Sequence, residues 1–252
     1  MTFEAVDICK AFDGFEVLRN VSMSMPLDGL IGLIGPNGAG KSTLFSVISG
    51  FMPPSSGHVT FDGVSMNGMS ASTRARAGMV RTFQVPKEFS HLSVRENLMA
   101  AAPGQAGENL TGLFLRPGLV RRQEDGLRKR ADAVISFLRL DRVADSSAGL
   151  LSGGQKKLLE LGRALMVEPK LILLDEPFAG VNPVLIGEIM ERIRELNGRG
   201  IGFLIIEHDL DALTRLVSRL YVMDQGAILA EGEPVAVLAD KAVRDAYLGG
   251  EA

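Results

Sequence analysis

Short apolar runs and helically spaced apolar positions alternate along this chain. Leu30 to Gly35 (LIGLIG) is an apolar run ending in glycine, and Leu171 to Leu174 and Phe203 to Ile206 are further runs bounded by polar or breaking residues. Unbroken apolarity over four to six residues predicts strands buried on both faces, as a parallel sheet requires. Lys41 to Ser49 reads as a helix with Gly50 as its stop. The first 30 residues and His58 to Asp62 carry shorter segments with turn signals at Asp13-Gly14 and Asp62-Gly63, which predicts a small antiparallel sheet beside the parallel one. Leu220 to Met223 and Ala227 to Ala230 flank Asp224-Gln225-Gly226 and read as a hairpin.

The middle of the chain is more helical. Leu127, Ala131, Val134, Ile135 and Leu138 fall on one helix face. Pro103 to Gly118 is glycine-rich and reads as an irregular connection. The expected organisation is one α/β domain over residues 1–252, a parallel sheet with a flanking antiparallel β subdomain, and a helical subdomain inserted at 85–160.

The 252 residues are 46% hydrophobic and 23% charged, enough to build a packed core. A net charge of -3 gives no general basic field for nucleic acid, so none is expected as a partner. Cys9 is the single cysteine, which rules out a disulfide within the chain and suggests a small buried residue in the first strand. The N-terminal sequence lacks a secretory-signal layout and nowhere do 18 apolar residues run together, so a cytoplasmic protein without a membrane span is expected. Arg121, Arg122, Arg128, Lys129 and Arg130, interspersed with Glu124 and Asp125, read as a solvated helix face; contact with anionic lipid headgroups or with a cytoplasmic loop of a membrane subunit is the sharper alternative.

Three segments carry chemistry. Gly35-Pro36-Asn37-Gly38-Ala39-Gly40-Lys41-Ser42 fits G-x-x-x-x-G-K-[ST] at every fixed position, between a strand and a helix. Glycines let backbone N–H groups turn inward around a phosphate, and the helix beginning near Gly40 adds its positive end. Lys41 is expected on the β- and γ-phosphates, Ser42 on Mg²⁺ and Thr43 on the α-phosphate. Asp175 and Glu176 end an apolar strand where open α/β sheets bind ligands. Asp175 is the expected Mg²⁺ partner through water, and Glu176 the expected general base for the attacking water. Leu151-Ser152-Gly153-Gly154-Gln155 is a small-residue turn opening a helix through Leu165, able to offer a hydroxyl and backbone N–H groups to an anion.

The last segment resembles the signature of the ABC transporter ATPases, and the resemblance spans essentially the whole chain. It implies that Phe12 (KAFDGFEVL) stacks on adenine, that Gln84 (RTFQ) contacts Mg²⁺ or the attacking water and senses the membrane partner, and that His208 (IIEHD) contacts the γ-phosphate. It also implies a head-to-tail dimer in which Ser152, Gly153, Gly154 and Gln155 of a second ATP-binding subunit complete the ATP site. Lys41, Gln84, Glu176 and His208 are then the catalytic set, and Ser42, Gln84 and Asp175 the Mg²⁺ set.

Two positions depart from the family pattern: Asn182 stands where aspartate is usual, and Phe12 where tyrosine is common. At finer grain, HLSVRENLMAA, LSGGQKKLLELGRALM, EPFAGVNP and DAYLGG resemble the ATP-binding subunits of branched-chain amino acid importers. Polytopic permease subunits, and indirectly a solute-binding protein, are then the implied partners at the inner face of the plasma membrane. Importers of urea or amides and the lipopolysaccharide-export ATPase share much of this pattern. ATPases acting on ribosomes or DNA typically carry two motif sets or long coiled-coil insertions; this chain has one set and no heptad run.

Overall fold

The computed structural model describes residues 1–83, 87–105 and 117–248. By packing, the chain divides into a first unit of Met1–Gln84, Lys170–Ala179 and Ile193–Ala252 and a second unit of Val85–Pro169 and Gly180–Arg192.

The first unit holds two sheets. Strands β1 (Thr2–Phe12), β2 (Phe15–Pro26), β4 (Ser56–Phe61) and β5 (Val64–Ser65) form an antiparallel sheet in the order β2-β1-β4-β5. Strands β3 (Leu30–Ile34), β6 (Met79–Arg81), β7 (Leu171–Asp175), β8 (Gly202–Ile206), β9 (Arg219–Asp224) and β10 (Ala227–Gly232) form the other, ordered β10-β9-β3-β8-β7-β6. All pairs in it are parallel except the β9–β10 hairpin, turned by Gln225 and Gly226 at φ 45° and 83°. β3, β7 and β8 are buried at every position, which explains their unbroken apolar sequences.

Helix α1 (Lys41–Ile48) follows β3 and packs Leu44, Phe45, Val47 and Ile48 into the core, stopping at Gly50 with φ 79°. Its last carbonyls are met by a charged side chain. Arg74, on α2 (Ala71–Arg76) and 2% exposed, donates from Nη1 to Val47 O at 3.0 Å and Ile48 O at 2.5 Å, and from Nε to Met69 O at 3.3 Å. Burial holds this guanidinium below its ordinary pKa. Cys9 is half-buried rather than enclosed: its thiol donates to Asn20 Oδ1 at 3.0 Å, so it serves as a polar strand contact.

The second unit is built on α3 (Val94–Ala101), α4 (Pro117–Phe137) and α5 (Gly153–Leu165), together with the start of α6 (Pro183–Asn197). α4 starts at Pro117, so the connection read as reaching Gly118 ends earlier, and residues 106–116 lie outside the described residues. Ala131, Ile135 and Leu138 are buried on the face the spacing predicted. A Cβ on Gly162 would lie 2.8 Å from Leu98 Cδ2 and 2.9 Å from Leu138 Cδ1, so α5 passes too close to its neighbours for any larger residue. Within the basic cluster, Arg121, Arg122, Arg128 and Lys129 are exposed, whereas Arg130 is half-buried, on Glu168 at 2.7 Å and Met166 O at 2.6 Å. No helix among the described residues is long and apolar enough to cross a membrane.

Replacing Arg74 by Met keeps the stem's bulk and takes the guanidinium donor from Ile48 O at the end of α1 and from Met69 O, while Val47 O keeps the Gly50 amide. The expected loss is roughly 3 kcal/mol of unfolding free energy, read from urea denaturation.

Candidate functional site

The turn between β3 and α1 is shaped by sterics. Gly35 has φ 152°, and a Cβ there would sit 2.1 Å from Met223 O, which excludes every side chain. Gly40 has φ 98° and caps α1 without a side-chain hydrogen bond, so the first amides of α1 have no side-chain acceptor from the cap. Lys41 is 7% exposed and folds back over the turn, donating from Nζ to Gly35 O at 2.6 Å and Pro36 O at 3.0 Å. Burial lowers its pKa, while the charges of Glu176 and Asp175 raise it.

Residues 37–43 line a cavity of about 250 Å³ together with Val17, Glu176 and His208. The fold thus brings the phosphate-loop candidates, including Ser42 and Thr43, to one place with the carboxylate and imidazole singled out at the ends of β7 and β8. His208 Nε2 lies 3.1 Å from Glu176 Oε1. Glu176 occupies the left-handed region at φ 49° and donates its amide to Ile206 O at 2.9 Å.

Other candidates stand elsewhere. Phe12 is 42% exposed on the β1–β2 hairpin, off the cavity wall, with Lys10 Nζ 5.2 Å from its ring centre. Exposure on a hairpin disfavours a core role for it. Asp175 is 7% exposed and already engaged: Arg81 Nη2 donates to its Oδ2 at 2.8 Å. The Arg81 guanidinium lies 5.7–6.0 Å from the rings of Phe45, Phe51 and Phe83, and Nη1 reaches Ser46 Oγ at 3.0 Å. Arg81 went unremarked in the sequence, where only its membership of RTFQ distinguished it. Gln84 lies outside the described residues.

Ser152 caps α5. Its hydroxyl accepts from the Gln155 amide at 3.3 Å, and Gln155 Oε1 accepts from the Ser152 amide at 3.0 Å, a reciprocal capping box. Gly154 has a packing reason to be glycine, since a Cβ would lie 1.8 Å from Leu185 Cδ2. Asn182 caps α6 in the same unit, its Oδ1 accepting from the Leu185 amide at 3.0 Å with Pro183 at the first helical position. Asparagine serves there as well as aspartate would.

One contact was not foreseen. Tyr247 on the helix Lys241–Leu248 has its phenol pKa pushed up to about 12 by burial, against a hydrogen bond with the Gly35 backbone that lowers it. The sequence flagged DAYLGG only as a resemblance.

A family model described as ABC transporter matches residues 18–179, and one described as branched-chain amino acid ATP-binding cassette transporter matches residues 227–252. The probable branched-chain amino acid transport ATP-binding protein LivG of Archaeoglobus fulgidus is 39% identical over 249 residues, covering 97% of this chain and 94% of the relative. The lipopolysaccharide export system ATP-binding protein LptB of Escherichia coli K12 is 35% identical over 248 residues, covering 98% and 97%. Among solved structures, a nucleotide-free ATP-binding cassette from an ABC transporter superposes with a TM-score of 0.86 at 40% identity, covering 98% of this chain and 99% of that one. The ADP conformation of an ATP-binding cassette of an ABC transporter gives 0.84 at 40% identity, covering 99% of each. With the phosphate loop, the acidic strand end and the capped signature turn in place, this chain belongs to the ABC transporter family of ATP-binding ATPases.

Proposed function

We propose that this protein powers the import of branched-chain amino acids through separate membrane subunits, hydrolysing ATP as one half of a pair. The observation that carries the ATPase site is the single cavity on which the phosphate loop, Glu176 and His208 converge. Backbone amides of residues 37–43 and Lys41 Nζ bind the triphosphate, Phe12 stacks on adenine, and Gly35 and Pro36 fix the loop's entry. Glu176 takes the proton of the attacking water, and His208, 3.1 Å away, orients it and contacts the γ-phosphate.

Mg²⁺ fits the oxygen donors here. The Ser42 hydroxyl and the Asp175 carboxylate are hard ligands, with Gln84 as the third candidate, and among the described residues no cluster of three or more His, Cys, Asp or Glu could hold a metal alone. That pattern suits an ion bound mainly through phosphate oxygens and water, which would neutralise charge on the triphosphate.

A single phosphate loop leaves the outer γ-oxygens unmet. Ser152, Gly153, Gly154 and Gln155 of a second ATP-binding subunit would meet them and exclude water, so ATP holds the pair closed and hydrolysis releases it. Residues 1–252 then act as one nucleotide-binding domain, with the helical stretch at 85–160 and Gln84 facing permease subunits at the cytoplasmic side of the membrane. The importer reading leans on the terminal model match at 227–252 and the LivG relative; the 35% identity to LptB supports lipopolysaccharide export as the second reading.

Glu176→Gln removes the base and leaves the binding groups. Turnover should fall by roughly 10²-fold or more with ATP binding retained, and an ATP-bound dimer should accumulate on size-exclusion chromatography. Near wild-type turnover would reject the assignment. Ser152→Arg should leave ATP affinity of the lone subunit near normal while abolishing ATP-driven dimerisation; unimpaired dimers would remove the cross-subunit site. With the permease subunits in proteoliposomes, leucine, isoleucine or valine plus the solute-binding protein should stimulate hydrolysis, whereas stimulation by lipopolysaccharide alone would favour the second reading.

A further inference from the structure

Glu207 is the buried carboxylate that the reaction scheme leaves unused. It is 3% exposed, and among the described residues no cation pairs with it. Its three partners are backbone amides: Phe178 N donates to Oε1 at 2.6 Å, and His208 N and Asp209 N donate to Oε2 at 2.9 and 3.4 Å. A carboxylate with no counter-ion is costly to bury, so three amides on one group point to a defined task. Burial pushes its pKa up, the three amides hold it down, and the charge of Glu176 adds to the rise.

These amides come from two different chain segments. β7 and β8 are parallel neighbours, with Asp175 opposite Ile206. The next residue on each strand, Glu176 and Glu207, is therefore the first beyond the sheet edge. Glu176 is held at φ 49°, a conformation strained for a residue with a Cβ, which persists only where its surroundings fix it. Two contacts tie this segment to the β8 exit: Glu176 N to Ile206 O at 2.9 Å, and Phe178 N to Glu207 Oε1 at 2.6 Å. The other oxygen of the same carboxylate holds the amide of His208, whose Nε2 is 3.1 Å from Glu176 Oε1. One side chain thus ties down the main chain on both sides of that contact.

We propose that Glu207 is a positioning residue for ATP hydrolysis, a brace whose two oxygens fix the backbone after Glu176 and the backbone of His208 so that base and imidazole stay in register. The proposal rests on the roles given above to Glu176 and His208. It needs both oxygens as acceptors. A glutamine has one acceptor and one donor, so it must turn an N–H toward either Phe178 N or the His208–Asp209 pair. The phosphate loop is not held by Glu207, so nucleotide binding should survive.

The test is steady-state hydrolysis with kcat and KM separated, ATP binding by titration, and melting temperature, on Glu207→Gln, Glu207→Asp, Glu176→Gln, His208→Ala and the Glu207→Gln/His208→Ala double variant. Glu207→Gln should lower kcat about tenfold or more with ATP affinity within about threefold of wild type. Glu207→Asp keeps two acceptors and should recover part of that loss. In the His208→Ala background Glu207→Gln should cost clearly less than in wild type, because one of the two groups it positions is gone while the Glu176 side remains. An equal cost in both backgrounds, or a kcat loss matched by lost ATP binding, would mark a general packing role and overturn the brace. If Glu207→Gln does not fold, full kcat in Glu207→Asp alone would overturn it, and a lowered kcat with retained ATP affinity there would support it. Full turnover in both Glu176→Gln and His208→Ala would overturn the underlying assignment, whereas impaired turnover in those two with full turnover in both Glu207 variants would overturn the brace only.

Discussion

The parallel pairing of β8 with β3 on one side and β7 on the other sets where the glycine turn, Glu176 and His208 stand. β3 ends at the glycine turn, β7 at Asp175 and Glu176, and β8 at Glu207 and His208. Parallel strands bring like ends together, so three distant stretches of sequence open on one sheet edge. A slip of one residue on β8 would turn its side chains to the opposite face and separate Glu176 from His208. The full burial of the three strands guards against that slip, since any shift exposes apolar surface on one face and opens voids on the other.

Charge at this edge is balanced by contact rather than by solvent. The Lys41 ammonium rests on two loop carbonyls, the Asp175 carboxylate on a guanidinium, and the Glu207 carboxylate on amides. Fixed dipoles of this kind do not have to reorient as charge moves, which is what a phosphate-transfer site needs from its walls. Besides the Lys41 side chain folded onto two of its carbonyls, the loop takes its shape from the backbone, with Gly35 pressed against Met223 O and Gly40 at positive φ.

Much of this was legible in the sequence, for physical reasons that differ from place to place. β3, β7 and β8 announced themselves because strands buried on both faces tolerate only apolar residues. The α5 start was legible because Ser152 and Gln155 form a capping box, a local device spelled in adjacent residues. The connection read as running to Gly118 gives way to α4 already at Pro117, since proline opens a helix as readily as it ends a loop. Cys9 was misjudged because a strand's register decides which residues face inward, and Asn20 across the ladder gave its thiol a polar partner. Arg81 and Glu207 escaped because their meaning is tertiary: a partner 94 residues away in one case, and an amide at another strand's exit in the other.

The pairing of Arg81 with Asp175 complicates the most natural way of probing metal binding. Both side chains are only 9% exposed, and the guanidinium is walled by three phenylalanine rings. An Asp175→Asn protein would forfeit the proposed metal ligand and, in the same stroke, orphan a cation that cannot reach water, at a cost of about 3–5 kcal/mol for a broken buried pair. Its inactivity would then report a collapsing scaffold as much as an absent ion. Neutralising both partners together, Arg81→Met with Asp175→Asn, separates the two effects.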